Sequence, residues 1–309
     1  MLQRLAVASV VLLFLSGCLG FGDEVEVEQE YQPEECNGMD ILCDRTYDTV
    51  TFPETHNAFA THEDGIWYPA SNHATGFQAQ WDAGMRAFML DTHYANLDER
   101  VEEGVRFCHG DDSRGFSPCV YGSVEPKEWL DALYEEMVEH SDDVVTLLIE
   151  NYVEADHLRA TLNSSIPEDW WFVHEYNTTW PTLGDMIRAD TRLVIFWEQG
   201  ANESHPWFHD FLEHSWTTNY AEDSTEDMNC EVLRGDVTRP VFHMNSWLSG
   251  ALGLSDPNRA DQANDVDFLV NRSIECYDLH GKYPTFIAVD WWEDGDVVEA
   301  ARQVNLLER

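Results

Sequence analysis

Short apolar runs in this chain of 309 residues end in side chains that could do chemistry. His56 and Asn57 follow the run closing at Phe52. Asp91 and His93 follow Ala87–Leu90, and His109 follows Val105–Cys108. Glu150 follows Val144–Ile149, and Asp290 follows Phe286–Val289. Two imidazoles, His56 and His109, could serve as acid and base on opposite sides of a reacting phosphorus. Asn57, Asp91 and Glu150 offer hard oxygen donors of the kind Ca²⁺ or Mg²⁺ prefers. A cation there would neutralise a phosphate and acidify a coordinated hydroxyl. His93, two residues after Asp91, shares its strand face and reads as a rim hydrogen-bonder or an extra ligand. Each residue alone has a simpler reading, since a strand-end Asp often caps the next helix. The chemistry rests on these groups sharing one rim.

Strands must carry that rim. Runs at Thr49–Phe52, Ala87–Leu90, Val105–Cys108, Val144–Ile149, Trp170–Val173, Leu193–Trp197, Val241–Met244 and Phe286–Val289 read as strands. Helical patterns lie between most of them; Pro126–Glu139 is the clearest, and Arg259–Leu279 and Asp296–Leu307 close the chain. Gly200–Arg239 reads as a polar loop region. About eight β-then-α units in roughly 260 residues predict a single-domain (β/α)₈ TIM-like barrel, whose C-terminal strand ends carry the chemistry. Strands that are apolar throughout favour a parallel sheet covered on both faces. A doubly wound open sheet lacks its Gly-rich phosphate loop here.

With 17 Lys+Arg against 59 Asp+Glu, the formal charge is −42, which excludes non-specific nucleic-acid binding. Lys127 and Lys282 are the two lysines, and an acidic, Lys-poor surface suits high salt, where self-repulsion is screened. At 43% apolar residues a sizeable core is available, so disorder is excluded for the bulk. Arg4, the apolar stretch Leu5–Leu15 and Ser16-Gly17-Cys18 form a signal segment (1–17) in front of a lipidated Cys18. Residues 18–44 are then expected to be the lipidated cysteine and an acidic tether, and 45–309 the barrel domain. Six further cysteines, Cys36, Cys43, Cys108, Cys119, Cys230 and Cys276, suggest disulfides outside the cytoplasm. Of the possible connectivities, the sequence-local one pairs them in that order.

The segments carrying these residues resemble a family. Thr55-His56-Asn57-Ala58-Phe59-Ala60, Gly84-Met85-Arg86-Ala87-Phe88-Met89-Leu90-Asp91, Cys108-His109 and Thr146–Val153 are similar to successive segments of the phosphatidylinositol-specific phospholipase C X-domain superfamily. Phe286–Trp292 is similar to the branch that stands apart from the signalling enzymes. The resemblance implies a phosphodiester-cleaving barrel with His56 and His109 as its essential histidines. It also implies a divalent cation, Ca²⁺ or alternatively Mg²⁺, on Asn57, Asp91 and Glu150. The signalling enzymes carry a Glu where this chain has Met89, so one protein ligand is missing. The Arg that replaces the metal in some bacterial members is absent too, its place being Asp91. Arg86, His93, Asp290 and Trp291 are expected to contact substrate. The expectation is a monomeric, lipid-anchored phosphodiesterase acting on a phospholipid or glycerophosphodiester. The alternative is a non-catalytic barrel that recognises lipid head groups or glycans.

Overall fold

A computed structural model describes residues 31–309, apart from 111, 114, 199–203, 221 and 251–252. The expected signal segment, Cys18 and most of the acidic tether lie outside the described residues. Gln32–Arg309 form one compact unit. Among the described residues, no helix is long and apolar enough to cross a membrane.

Ten strands form one sheet: β1 (Phe52–Thr55), β2 (Ala87–Tyr94), β3 (Val105–Phe107), β4 (Val145–Asn151), β5 (Leu193–Trp197), β6 (Phe208–Asp210), β7 (Ser215–Thr217), β8 (Arg234–Gly235), β9 (Val241–Ser246) and β10 (Phe286–Val289). Their order is β6-β5-β4-β2-β1-β10-β9-β7-β8, with β3 beside β2. Every ladder is parallel except β2–β3 and β7–β8. Eight parallel strands thus curl into a TIM-like barrel, with β3 and β8 as antiparallel flaps. Among the described residues no ladder joins β6 to β7, so the ring is open there.

The helices are α1 (Phe77–Ala83), α2 (Pro126–Glu139), α3 (Ala155–Asn163), α4 (Leu183–Arg188), α5 (Phe211–His214), α6 (Ala260–Ala263), α7 (Val266–His280) and α8 (Val297–Leu306). Pro126 opens α2 at a position where a missing N–H is harmless. The Asp265 side chain caps α7 by accepting from the Phe268 amide.

Strand alternation explains how the chemistry reaches one end. Outward residues such as Phe88, Leu147, Ile195 and Ile287 pack under Leu130, Leu133, Leu269 and Val304 of the helices. Inward residues Phe52, Ala87, Leu148, Phe196, Val241 and Phe286 fill the barrel with Tyr47 and Trp180. Side chains two apart share a face. Continuing inward toward the strand ends therefore brings His56, Asp91, Glu150, Glu198, Asn245 and Asp290 to one rim.

The structure corrects several expectations. Residues 36–44 are not tether: Cys36 and Leu42 are buried, and Asn37 exchanges side-chain hydrogen bonds of 2.8 and 3.0 Å with the Val144 backbone. Trp170–Val173 is not a strand; Trp171 makes a single bridge to Leu193. The stretch expected to be a loop, 200–239, carries β6, β7 and β8 instead. These strands are two or three residues long, too short to show a period of their own. The three disulfides are Cys36–Cys43, Cys108–Cys119 and Cys230–Cys276, the sequence-local pairing.

Candidate active site

The C-terminal rim opens into a cleft of about 380 Å³, lined among others by His56, Asn72, Met89, His109, Glu150, Glu198, Arg234, Trp247 and Asp290. A larger hollow of about 530 Å³ lies at the other barrel end and gathers none of the paired histidines.

His56 is fixed on three sides. Its Nδ1 stands 2.8 Å from Asp290 Oδ1, with Asp290 only 2% exposed. Its ring lies on Trp247, and its carbonyl accepts from His73 Nε2 at 2.7 Å. Asp290 also accepts from Asn72 Nδ2 at 2.9 Å. Burial pushes the Asp290 carboxyl up, but His56 with its hydrogen bond, then His73 and Ser255, together hold it below the usual carboxylate range. An ionised Asp290 requires Nδ1–H on His56. That leaves the Nε2 lone pair, which accepts from Asn57 Nδ2 at 3.2 Å, available as a base.

His109 faces it, with ring centroids 6.3 Å apart. Its Nδ1–H donates to the Ala70 carbonyl at 3.0 Å, directing Nε2 away from that strut. The Cys108 amide donates to the Asp91 carbonyl at 3.2 Å, and the Cys108–Cys119 disulfide closes the loop behind His109. Burial, then the neighbouring His56, hold His109 below the ordinary imidazole range.

Asp91 and Glu150 are register partners on β2 and β4. Burial, then Glu150, push Asp91 well above the usual carboxylate range. Burial, then Glu198, raise Glu150, which also accepts from Tyr152 Oη. The Asn57 amide oxygen is buried without a hydrogen-bond partner. Among the described residues no three His, Cys, Asp or Glu side chains are gathered to hold a metal. Two mutually repelling carboxylates and an orphaned amide oxygen nevertheless fit a hard cation that completes its shell with water and phosphate.

Three expected substrate contacts stand elsewhere. Arg86 is at the opposite end of β2, where Nε pairs with Asp143 at 2.7 Å and the guanidinium covers Trp81. His93 is fully buried and stacks on Tyr152. Trp291 is 5% exposed and donates to Ser255 Oγ at 2.9 Å, behind the cleft wall. Asp290 lines the cleft, but its hydrogen bond to His56 makes it a positioning residue for that ring.

Sequence reasoning missed Asn72, Glu198, Arg234 and Trp247. Glu198 and Trp247 follow apolar strands as Glu150 does, so their signal was available. Asn72 and Arg234 lie in irregular or flap segments and had none.

The family model described as PI-PLC X 1 matches residues 42–305. This chain belongs to the PI-PLC X family. The PI-PLC X domain-containing protein 1 of Arthroderma benhamiae is 25% identical over 302 residues, covering 87% of this chain and 89% of that protein. An uncharacterized secreted protein of the same fungus is 23% identical, covering 92% of this chain and 67% of that one. Among solved structures, a phosphatidylinositol-specific phospholipase C from Staphylococcus aureus superposes with a TM-score of 0.56 at 12% identity, covering 89% and 98% of the two chains. The PI-PLC X barrel is therefore the fold, and within it Met89 lines the cleft with an apolar side chain.

Proposed function

We propose that this PI-PLC X barrel is a phosphoric diester hydrolase of phospholipase C type, acting on a phospholipid or glycerophosphodiester head group. The observation that carries the reading is the pair of opposed imidazoles, one backed by the buried Asp290 and the other held by the Ala70 carbonyl.

His56 takes a proton from the attacking hydroxyl at Nε2, while Asp290 stabilises the imidazolium that forms. His109 returns a proton to the leaving alkoxide. It is held neutral when the cleft is empty, so it takes up that proton as the anionic phosphate settles beside it. For an inositol lipid, the attacking group is the ring hydroxyl next to the phosphate, and a cyclic phosphate forms first. Asn57, Asp91 and Glu150 would hold the divalent cation, Ca²⁺ or Mg²⁺, which when bound would supply charge neutralisation at the phosphate.

Three disulfides and the secreted fungal relative support an extracytoplasmic address. Cys18 would anchor the chain to a membrane through its lipid.

Turnover of a chromogenic phosphodiester tests the reading. His56→Ala and His109→Ala should each lower the rate at least ~10²-fold while the fold persists. Absence of turnover by the native protein across inositol, glycerol and choline diesters, with Ca²⁺ or Mg²⁺ present, favours the non-catalytic binding barrel.

A further inference from the structure

The cleft presents an electrostatic problem. Glu150, Glu198 and Asp290 line it, in a chain of formal charge −42, yet the proposed substrate is an anion. Arg234 is the one Lys or Arg among the described residues that line it.

Arg234 is a placed residue although its side chain is 31% exposed. It sits on β8, paired antiparallel to β7 with Arg234 opposite Thr217. The preceding segment is bolted to α7 by the Cys230–Cys276 disulfide, by His280 Nε2 donating to the Cys230 carbonyl at 2.8 Å, and by Arg272 Nη2 donating to the Asn229 carbonyl at 3.1 Å. Beyond it, Gly235 has φ of +81°, and a Cβ there would lie 2.2 Å from the Ser215 carbonyl. Only glycine lets the flap close this tightly on β7.

The guanidinium reaches into the cleft side of the barrel. Its Nη1 donates to Glu198, its carbon lies 5.7 Å from the Tyr220 ring centroid, and its Nε–H is buried without a partner. A buried N–H left unpaired is destabilising, and a planar guanidinium matches two phosphate oxygens.

We propose that Arg234 is the phosphate-binding residue of this cleft, exchanging Glu198 for oxygens of the substrate's phosphoryl group. The inference rests on the phosphodiesterase reading for its substrate, but not for its test. Glu198 is then a placeholder: it holds Arg234 in position when no anion is present and competes with the anion when one arrives.

The two partners of this ion pair therefore have opposite effects on anion binding. Inorganic phosphate, titrated calorimetrically in EDTA, is the probe. Arg234→Gln should weaken phosphate binding at least ~10-fold, Arg234→Lys should retain part of it, and Glu198→Gln should tighten it several-fold. Thermal unfolding of each variant establishes that the fold is intact. Equal phosphate binding by native protein and folded Arg234→Gln overturns the proposal. So does a Glu198→Gln variant that weakens in step with Arg234→Gln, the mark of a merely structural ion pair, and so does a native protein without saturable phosphate binding. The expected pattern in a protein that turns over no diester retires the phosphodiesterase reading and leaves the anion site standing.

Discussion

The His56 imidazole lies flat on the Trp247 indole, with ring centroids 4.1 Å apart and planes 3° apart. Asp290 fixes the ring at its edge, while Trp247 fixes it by its face. An aromatic face also stabilises the imidazolium that a general base becomes. Trp247→Ala should lower kcat about 10-fold, as loss of an orienting neighbour does, and Trp247→Phe should retain most of it. Asp290→Asn should cost more, ~10²–10⁴-fold, because the tautomer is then no longer enforced. Steady-state kinetics on a soluble diester decides this; unchanged kcat in both Trp247→Ala and Asp290→Asn would remove His56 as the base.

The position of His109 predicts a split pH profile. The acid must carry its proton to work. In the free protein, burial and then His56 hold its pKa below 6.5, so kcat/KM should fall as pH rises through that lowered value. Bound phosphate favours the imidazolium, so the alkaline limb of kcat should lie at higher pH than that of kcat/KM. Coincident limbs would show that substrate does not recharge His109.

Much of the site was legible because the strand period is short and strict. Phe52, Glu54 and His56 share one face of β1, and Phe286, Ala288 and Asp290 share one face of β10, so an apolar run ending in a polar residue already aims that residue at the rim. The same logic extends to Glu198 and Asn245, which end their strands in the same way and line the cleft, though the rim set read from the sequence leaves them out. Arg86 is expected at the substrate through the resemblance, not through this logic: it precedes its strand and so emerges at the opposite end, paired to Asp143. The logic failed for Arg234, whose two-residue strand has no period. Trp170–Val173 misled because an apolar run can be buried without extending a ladder: Trp171 packs in the outer core beside Trp207 and makes one bridge to Leu193.

The paired carboxylates make a prediction that does not depend on turnover. Without a cation, Asp91 and Glu150 destabilise each other's ionised forms. Ca²⁺ or Mg²⁺ should therefore raise the melting temperature of the native protein, with about 2.7 kcal/mol of stabilisation at a hundredfold excess over Kd. Asp91→Asn and Glu150→Gln should shift the response to higher ion concentration, and in EDTA Asp91→Asn should melt no lower than the native protein. EDTA should abolish activity. A melting temperature indifferent to both ions, with full activity after chelation, assigns these carboxylates another role.

A last prediction concerns the far end of the barrel, where three histidines gather around Trp180. The His174 amide donates to His209 Nε2 at 2.9 Å, and His209 Nδ1–H donates to the Ile195 carbonyl at 3.0 Å, so both nitrogens of His209 are committed in the neutral ring. Burial, then His214, lower His209 to about 3, and burial, then His174, lower His214 to about 4. Unfolding restores ordinary imidazoles with pKa near 6.5. Between those values the unfolded chain holds more protons than the folded one, so stability falls as pH falls from about 6.5 toward 3. Each such proton contributes a slope of about 1.4 kcal/mol per pH unit. Protonation of surface carboxylates relieves the charge of −42 and opposes this fall at the acid end, so absolute stability alone does not isolate the histidines. The slope does. Denaturant unfolding of native protein and His209→Gln between pH 6 and 4.5 should give a shallower pH dependence for the variant by about one proton, whatever the substitution does to stability at neutral pH. Equal slopes would mean that His209 is not the group that titrates on unfolding.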